Sequence, residues 1–251
     1  MSVLAPLAAR YAYWLGLPAE ETALPEAAPE EVRAMPLVLR LEKAEPPGRT
    51  ALLESAATAS LAVCLDERAQ PGGEWHDAVR RWVSGHIRKV ARRARGAHWE
   101  AVQRFAGVTV TVGGAQVRAL VPSRVVDMPR DLARLQISGS DLPPDEPGPA
   151  PQDVPPLLLN PEVGMTVGKA AAQVGHATMI LASLLGPAEL ASWAGRGYAC
   201  AVRTPSVAQW KQLHPGDDPA GAWRSRRVVA VRDAGFTEVD PGTVTVLAQW
   251  L

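Results

Sequence analysis

Lys169, Gln173 and His176 stand at i, i+4 and i+7 in the stretch G168-K-A-A-A-Q-V-G-H-A-T178. On a helix that spacing lines three polar groups along one face. Ala170, Ala171, Ala172, Val174, Met179, Ile180 and Leu181 then fall on core-facing sides. Spacing alone suits an ordinary solvated stripe as well as a site. Lys169 tips the balance, because a cation in the first turn opposes the partial positive charge of a helix N-terminus. Free amides beside an ammonium make an anion site, suited to a phosphate, a terminal carboxylate or a developing oxyanion. Asp233 follows the apolar run Val228–Val231 and precedes Ala234-Gly235. Strand ends entering glycine-bearing turns are common places for catalytic carboxylates in α/β folds, and equally for turn-initiating aspartates. Thr237, Thr243 and Thr245 are, taken singly, β-formers. The sequence has no nucleotide-binding loop, no metal-ligand spacing and no nucleophilic serine or cysteine elbow.

The elements that must position these residues can be read from the same segment. Pro155–Asn160 is a short apolar run suited to a buried strand, and Thr166 is the expected N-cap of a helix over Gly168–Leu185. Tyr198–Arg203 and Val228–Val231 read as strands, with a helix around Val207–Leu213 between them. Thr243–Trp250 opens with the period-2 alternation of a strand with one buried face. Upstream, LPPDEPGPAPQDVPP at Leu142–Pro156 carries six prolines before Pro156 and reads as a semi-rigid linker. A weaker break, rich in Pro, Glu and Ala, runs from Pro18 to Glu31.

The chain also repeats itself. Moved by 120 positions without a gap, Pro36–Leu65 matches Pro156–Leu185 at eleven of thirty positions. Trp82 and Trp99 lie 111 positions before Trp193 and Trp210, and V108-T-V-T-V-G-G114 resembles V228-V-A-V-R-D-A234. Each copy reads strand, glycine-containing loop, helix, helix, then β-rich segments. The expected fold class is α/β, with two tandem copies of a small mixed-sheet domain flanked by helices. The expected divisions are an N-terminal extension (1–34), a degenerate copy (35–141), the proline-rich linker (142–154) and an intact copy (155–251).

Two blocks, G168-K-A-A-A-Q-V-G-H-A-T178 and D233-A-G-F-T-E-V-D-P-G-T-V-T-V-L-A248, resemble in order and separation the motifs of type 2 (archaeal and eukaryotic type) peptidyl-tRNA hydrolases. A Trp-Gly helix end at Trp193 and Gly195 and a strand between the blocks agree with this. The resemblance covers roughly Pro155 to Leu251 and implies hydrolysis of the ester joining a peptide to the 3′ ribose of tRNA. It places Lys169, Asp233, Thr237 and Thr245 on active-site positions, Gln173 and His176 on the motif helix, and Gly168 and Gly235 at the substrate. Two positions depart from the pattern. Phe236 replaces a polar, often basic residue, and Glu238 stands where Gln is frequent. In the first copy Arg49, Leu53 and Ala56 correspond to Lys169, Gln173 and His176, while the Asp233 position falls at Gly113 or Val112. That half is expected to be non-catalytic. A fused second copy would imitate a dimer within one chain, as a monomeric pseudo-dimer or a homodimer of it.

Lys plus Arg equals Asp plus Glu at 26 each, but the charges are unevenly placed. Five Glu and no base lie between Arg10 and Arg33, whereas Arg80 to Arg104 holds eight Arg or Lys and one acid, Glu100. The stretch Trp82–Trp99 fits an amphipathic helix with a solvated arginine face, while the repeat would make part of it a strand. Clustered Arg88, Arg92, Arg93 and Arg95 beside Trp and His suit RNA phosphates. Cys64 and Cys200 sit in apolar runs and read as buried thiols of a reducing compartment. No apolar run approaches the ~20 residues that span a bilayer, so a cytoplasmic protein is expected. The expected partner is tRNA, with no cofactor, no metal and no membrane. The alternatives are a non-catalytic tRNA- or protein-binding module on the same fold, and a hydrolase of another acyl-tRNA.

Overall fold

The structure, a computed structural model, describes residues 2–16, 27–139, 141–235 and 238–251, with backbone alone for 12–14. Its first half comprises α1 (Ala5–Gly16), β1 (Arg33–Arg40), α2 (Arg49–Leu65), α3 (His76–Ser84), β2 (Arg88–Ala94), α4 (Gly96–Val102), β3 (Gly107–Val112), β4 (Ala115–Leu120), β5 (Ser123–Arg124) and α5 (Arg130–Ala133). Its second half comprises β6 (Pro156–Leu159), α6 (Val167–Leu184), α7 (Pro187–Gly195), β7 (Ala201–Arg203), α8 (Val207–Leu213), α9 (Pro219–Arg226), β8 (Val228–Arg232) and β9 (Val244–Gln249). The fold is mixed α/β, with two mixed sheets and helices against both.

The sheets have the same topology. Their strand orders are β2-β1-β4-β3, with β5 also pairing β1, and β7-β6-β9-β8. In each, the first strand runs parallel to the second and antiparallel to the fourth, and the third and fourth are antiparallel. Helices α3 and α7 are both 9 residues long and α4 and α8 both 7, and each pair is 111 positions apart. The indole of Trp82 donates to the Arg88 carbonyl and that of Trp193 to the Ala199 carbonyl, six residues on in both cases (3.0 and 2.7 Å).

Alternation along the central strands sorts residues between two faces. Leu37 and Leu39 of β1, and Leu157 and Leu159 of β6, point into one shared core that also contains α2 and α6. Val38 and Leu158 point outward into two smaller clusters, capped by Trp99 on α4 and Trp210 on α8. Helices α2 and α6 are buried along most of their length, as expected for helices apolar on nearly every side. Small residues let them pack closely. A Cβ on Gly175 would meet the Ser60 Oγ at 2.4 Å and the Lys89 Cε at 3.1 Å. Thr178 donates its hydroxyl to the Ala57 carbonyl (3.0 Å), and its +120 counterpart Thr58 donates to the Tyr198 carbonyl (3.2 Å). Each threonine therefore ties its helix to the other half.

The stretch Trp82–Trp99 is not one amphipathic helix. It breaks after Ser84, extends as β2, and re-enters a helix at Gly96. Seven paired positions along β1, from Ala34↔Arg88 to Arg40↔Ala94, outweigh the local helical pattern. The strand expected over Tyr198–Arg203 begins later, at Ala201, because Gly197 and Tyr198 adopt positive φ (61° and 57°) to end α7. The proline-rich linker lacks regular structure but is held along its length. Asp145 accepts from the backbone N–H and hydroxyl of Thr50 (2.9 and 2.5 Å), and Arg203 donates to Gly148 and Pro149. Arg49 reaches the carbonyls of Leu142 and Met165. Cys64 and Cys200 are buried and free, with thiols pushed up to about 12 by desolvation. Among the described residues no helix is long and apolar enough to cross a membrane.

Because one core serves both sheets, thermal unfolding should follow a single transition; two resolved transitions would contradict it. Gly175→Ala should lower stability by ~1–3 kcal/mol through overpacking against Ser60. Adding Ser60→Gly should recover part of that loss in the same melting experiment.

Candidate active site

Sequence dictates the start of α6. Thr166 caps it, its hydroxyl accepting from the Lys169 backbone N–H at 3.2 Å. That cap fixes Lys169 in the first turn, where its charge is unfavourable unless paired. The partner is Asp233, whose Oδ2 lies 2.5 Å from the Lys169 Nζ, with side chains only 9% and 8% exposed. One turn further along α6, Gln173 donates its Nε2 to the same Oδ2 at 2.7 Å. The Gln173 Oε1 accepts from the Thr245 hydroxyl at 2.6 Å, which fixes which end of the amide faces the carboxylate. The second carboxylate oxygen, Oδ1, accepts from the Gly235 N–H at 2.8 Å.

Two backbone features aim these groups. A register shift in the β8–β9 ladder pairs Val231 with Val246 but Arg232 with Val244, leaving Thr245 as the extra residue. Bulges of this kind re-aim side chains beside active sites; here the Thr245 side chain is fully buried against Gln173. The loop carrying Asp233 is closed at its base, where the Asp233 N–H donates to the Thr243 carbonyl and the Gly242 N–H to the Asp233 carbonyl, at 2.8 Å each. Within it Gly235 has φ +79°, and a Cβ there would lie 2.3 Å from the Pro241 ring. The D-A-G and P-G pairs are thus two sides of one tight contact.

Not all sequence-expected residues meet. Lys169, Gln173, Asp233, Gly235 and Thr245 converge, and Gly168 is buried in the first turn of α6. His176 does not reach Asp233. Its Nδ1 lies 3.1 Å from the Nζ of Lys89 on β2, in the other half. Three residues past Gln173 the helix has turned its face from β8 towards the first sheet. Thr237 and Phe236 lie outside the described residues. Of the arginines expected at RNA, Arg92 donates to the Ala133 and Leu135 carbonyls (3.1 and 2.9 Å) and Arg93 to Gly139 (2.6 Å) and Gln136. Both hold down the segment after α5. Arg88 is half-buried and Arg95 exposed.

Two residues not placed in the site from sequence, Glu238 and Lys89, lie beside these groups. Glu238 accepts from the backbone N–H and hydroxyl of Thr166 (2.9 and 2.7 Å), placing a carboxylate at the start of α6 where the helix dipole favours it. Its departure from the usual Gln was the available signal. Lys89 is half-buried over the Trp82 ring, and desolvation pulls its ammonium down to about 7. In the first half, the position of the Asp233 loop is taken by Gly113 and Gly114 with φ of +52° and +82°, a tight two-residue hairpin. A cleft of about 410 Å³ lined by Arg40, Glu42, Gly114 and Gln116 opens there.

Two sheets of one topology, with a buried lysine–carboxylate–amide network at a helix start of the second half, define a mixed α/β protein. Residues 156–249 match the family model Peptidyl-tRNA hydrolase PTH2, so the second sheet and its helices carry that family's pattern and the first half lies outside the match. No solved structure matches the chain.

Desolvation, then the positive charges of Lys89 and Lys169, hold the His176 pKa well below 6.5. The folded chain therefore keeps this imidazole neutral while the unfolded chain protonates it. The associated stability is full above ~6.5 and is lost as pH falls through that value, by up to ~1.4 kcal/mol per pH unit. Lys89 acts with the same sign in its higher window, from ~10.4 down to about 7. Urea titrations between pH 5 and 8 should show the decline below 6.5, and His176→Gln should flatten it.

Proposed function

We propose that this protein hydrolyses the ester between a peptide, or N-blocked aminoacyl group, and the 3′ ribose of tRNA. The observation that carries the reading is the Lys169–Asp233–Gln173 network lying within the segment that matches the hydrolase family. Asp233 has one oxygen on Lys169 and Gln173 and the other on Gly235. Held in this way, it positions a water for attack on the ester carbonyl and takes its proton. Lys169, with its ammonium at the helix start, stabilises the oxyanion of the tetrahedral intermediate. The ribose hydroxyl is a good leaving group, so modest activation suffices. Gln173 and Thr245 fix the carboxylate's orientation.

The first half is, on this reading, a degenerate copy of the second. The shared topology, the 111-residue helix offsets and the equivalent tryptophan hydrogen bonds support it. Its Asp233 counterpart is a glycine of a two-residue turn, and Arg49 binds backbone carbonyls in place of a carboxylate. It contributes packing and basic surface rather than chemistry. A non-catalytic tRNA- or protein-binding module on the same fold is the second reading, and the nonpolar Phe236 favours it.

The deciding experiment is single-turnover release of an N-blocked aminoacyl group from tRNA. Asp233→Asn keeps the shape of the side chain, and should slow release by between ~100-fold and ~10,000-fold while the protein stays folded. Release at the wild-type rate would remove Asp233 from the mechanism; tRNA binding without release by the wild type would establish the second reading.

Among the basic residues, Arg95→Ala should weaken tRNA binding and lower its salt dependence by about one phosphate contact. Arg92→Ala and Arg93→Ala should chiefly lower the melting temperature, because their guanidinium groups hold the 133–139 segment. An unchanged salt slope in the Arg95 variant would remove that residue from the RNA surface.

A further inference from the structure

Helix α1 touches both halves. Val3 and Leu4, in the turn just before it, are buried in the shared core. Arg10 donates to the carbonyls of Val83, Ser84 and Gly85, at 2.8 Å to Gly85. It thereby places a cation on the C-terminal carbonyls of α3, where a helix end favours one. The next residue, Tyr11, is 4% exposed, and its hydroxyl accepts from the Ala230 N–H at 2.8 Å. Ala230 lies on β8, the edge strand of the second sheet, and Asp233 directly follows that strand. A buried edge N–H needs a partner, and α1 supplies it across 219 positions of sequence.

The far end of α1 meets the site loop. Arg232 donates its Nη1 to the Leu15 carbonyl at 2.6 Å and its Nε to the Gly242 carbonyl at 3.1 Å. The first contact puts a cation on the last turn of α1; the second grips the residue whose N–H binds the Asp233 carbonyl. One guanidinium thus spans from α1 to the closing side of the Asp233 loop. It sits at the bulge that turns Thr245 inward.

We propose that Arg232 is a positioning residue for Asp233 and that α1 is the anchor it works against, an inference that rests on the hydrolase reading above. The catalytic unit then extends beyond residues 156–249 to include the N-terminal helix. Arg232 bonds the backbone carbonyls of Leu15 and Gly242, the latter on the closing side of the loop. Its effect passes through the Gly242 carbonyl and the loop base, so loosening it displaces the carboxylate without altering the residues that meet the ester.

The test compares the full-length wild type with Arg232→Met, Arg232→Lys and Tyr11→Phe. It reads kcat and KM for ester release, and amide exchange at Gly235 and Gly242. Misplacement of the carboxylate should lower kcat of Arg232→Met by roughly 10- to 100-fold. KM should stay within about 2-fold, because no substrate contact is lost. Exchange at Gly235 and Gly242 should quicken by about 10-fold or more, as expected for local opening, with the α2 and α6 amides unchanged. Arg232→Lys, which keeps a cation for the Leu15 carbonyl, should recover part of both effects. Should Arg232→Met fail to fold, Tyr11→Phe carries the test, with a smaller fall in kcat and faster exchange at Ala230. A rise in KM with kcat retained would make Arg232 a substrate contact and overturn the proposal, as would unchanged kcat with unchanged exchange. If the wild type releases nothing, the hydrolase reading fails. Exchange at Gly235 and Gly242 then decides separately whether Arg232 holds the loop, and unchanged exchange overturns the clamp.

Discussion

Neither sheet can cover its inner face with its own helix alone. Helix α2 packs on the first sheet and α6 on the second, and each is buried so completely that the other must complete its surroundings. The close approach at Gly175 and Ser60, and the reciprocal threonine bonds of Thr178 and Thr58, are what this mutual burial demands of the two surfaces. Burial is non-directional and roughly proportional to area, but packing this dense is specific about shape. Small residues at the contact follow from that. So does placing the reactive groups at the N-terminal end of α6, away from the dry middle of the contact.

From that arrangement the site acquires its character. An ammonium in the first turn of a helix is unfavourable, and a carboxylate arriving from the end of β8 offsets it. A nearly buried ion pair is costly to form and costly to break on one side, so it draws further hydrogen bonds. Gln173 and Gly235 supply two to the carboxylate, Thr245 orients Gln173, and the bulge orients Thr245. The chain of support leads outward to Arg232 and α1. The polar network is thus tied, through Arg232 and β8, to an element more than 200 residues away in sequence.

The first half has the same sheet topology without that polar network. It shares the central strand, helix pair and tryptophan hydrogen bond of the second half, and these close the common core. Its hairpin between β3 and β4 is a two-glycine turn where β8 and β9 are joined by the Asp233 loop, and its helix start is capped by Asp145. Packing constrains the buried elements of both halves, whereas only chemistry constrains the loop at the strand ends.

Sequence by itself singled out the residues that the structure brings together and most of the elements that hold them. Lys169, Gln173 and Asp233 were legible because helical spacing, a capping threonine and a glycine turn after an apolar strand are local patterns. The +120 offset was legible because the buried positions of both halves face the same packing problem. Only the tertiary structure decided where the polar stripe divides. His176 at i+7 shares a helical face with Lys169, yet faces Lys89, because the first sheet packs beside the second at that level. It also decided that Trp82–Trp99 folds as helix, strand and helix, that Arg92 and Arg93 bind backbone carbonyls, and that α1 reaches the site. The physical reason is common to these cases: local sequence fixes spacing along an element, whereas the partner each face meets depends on contacts between residues distant in the chain.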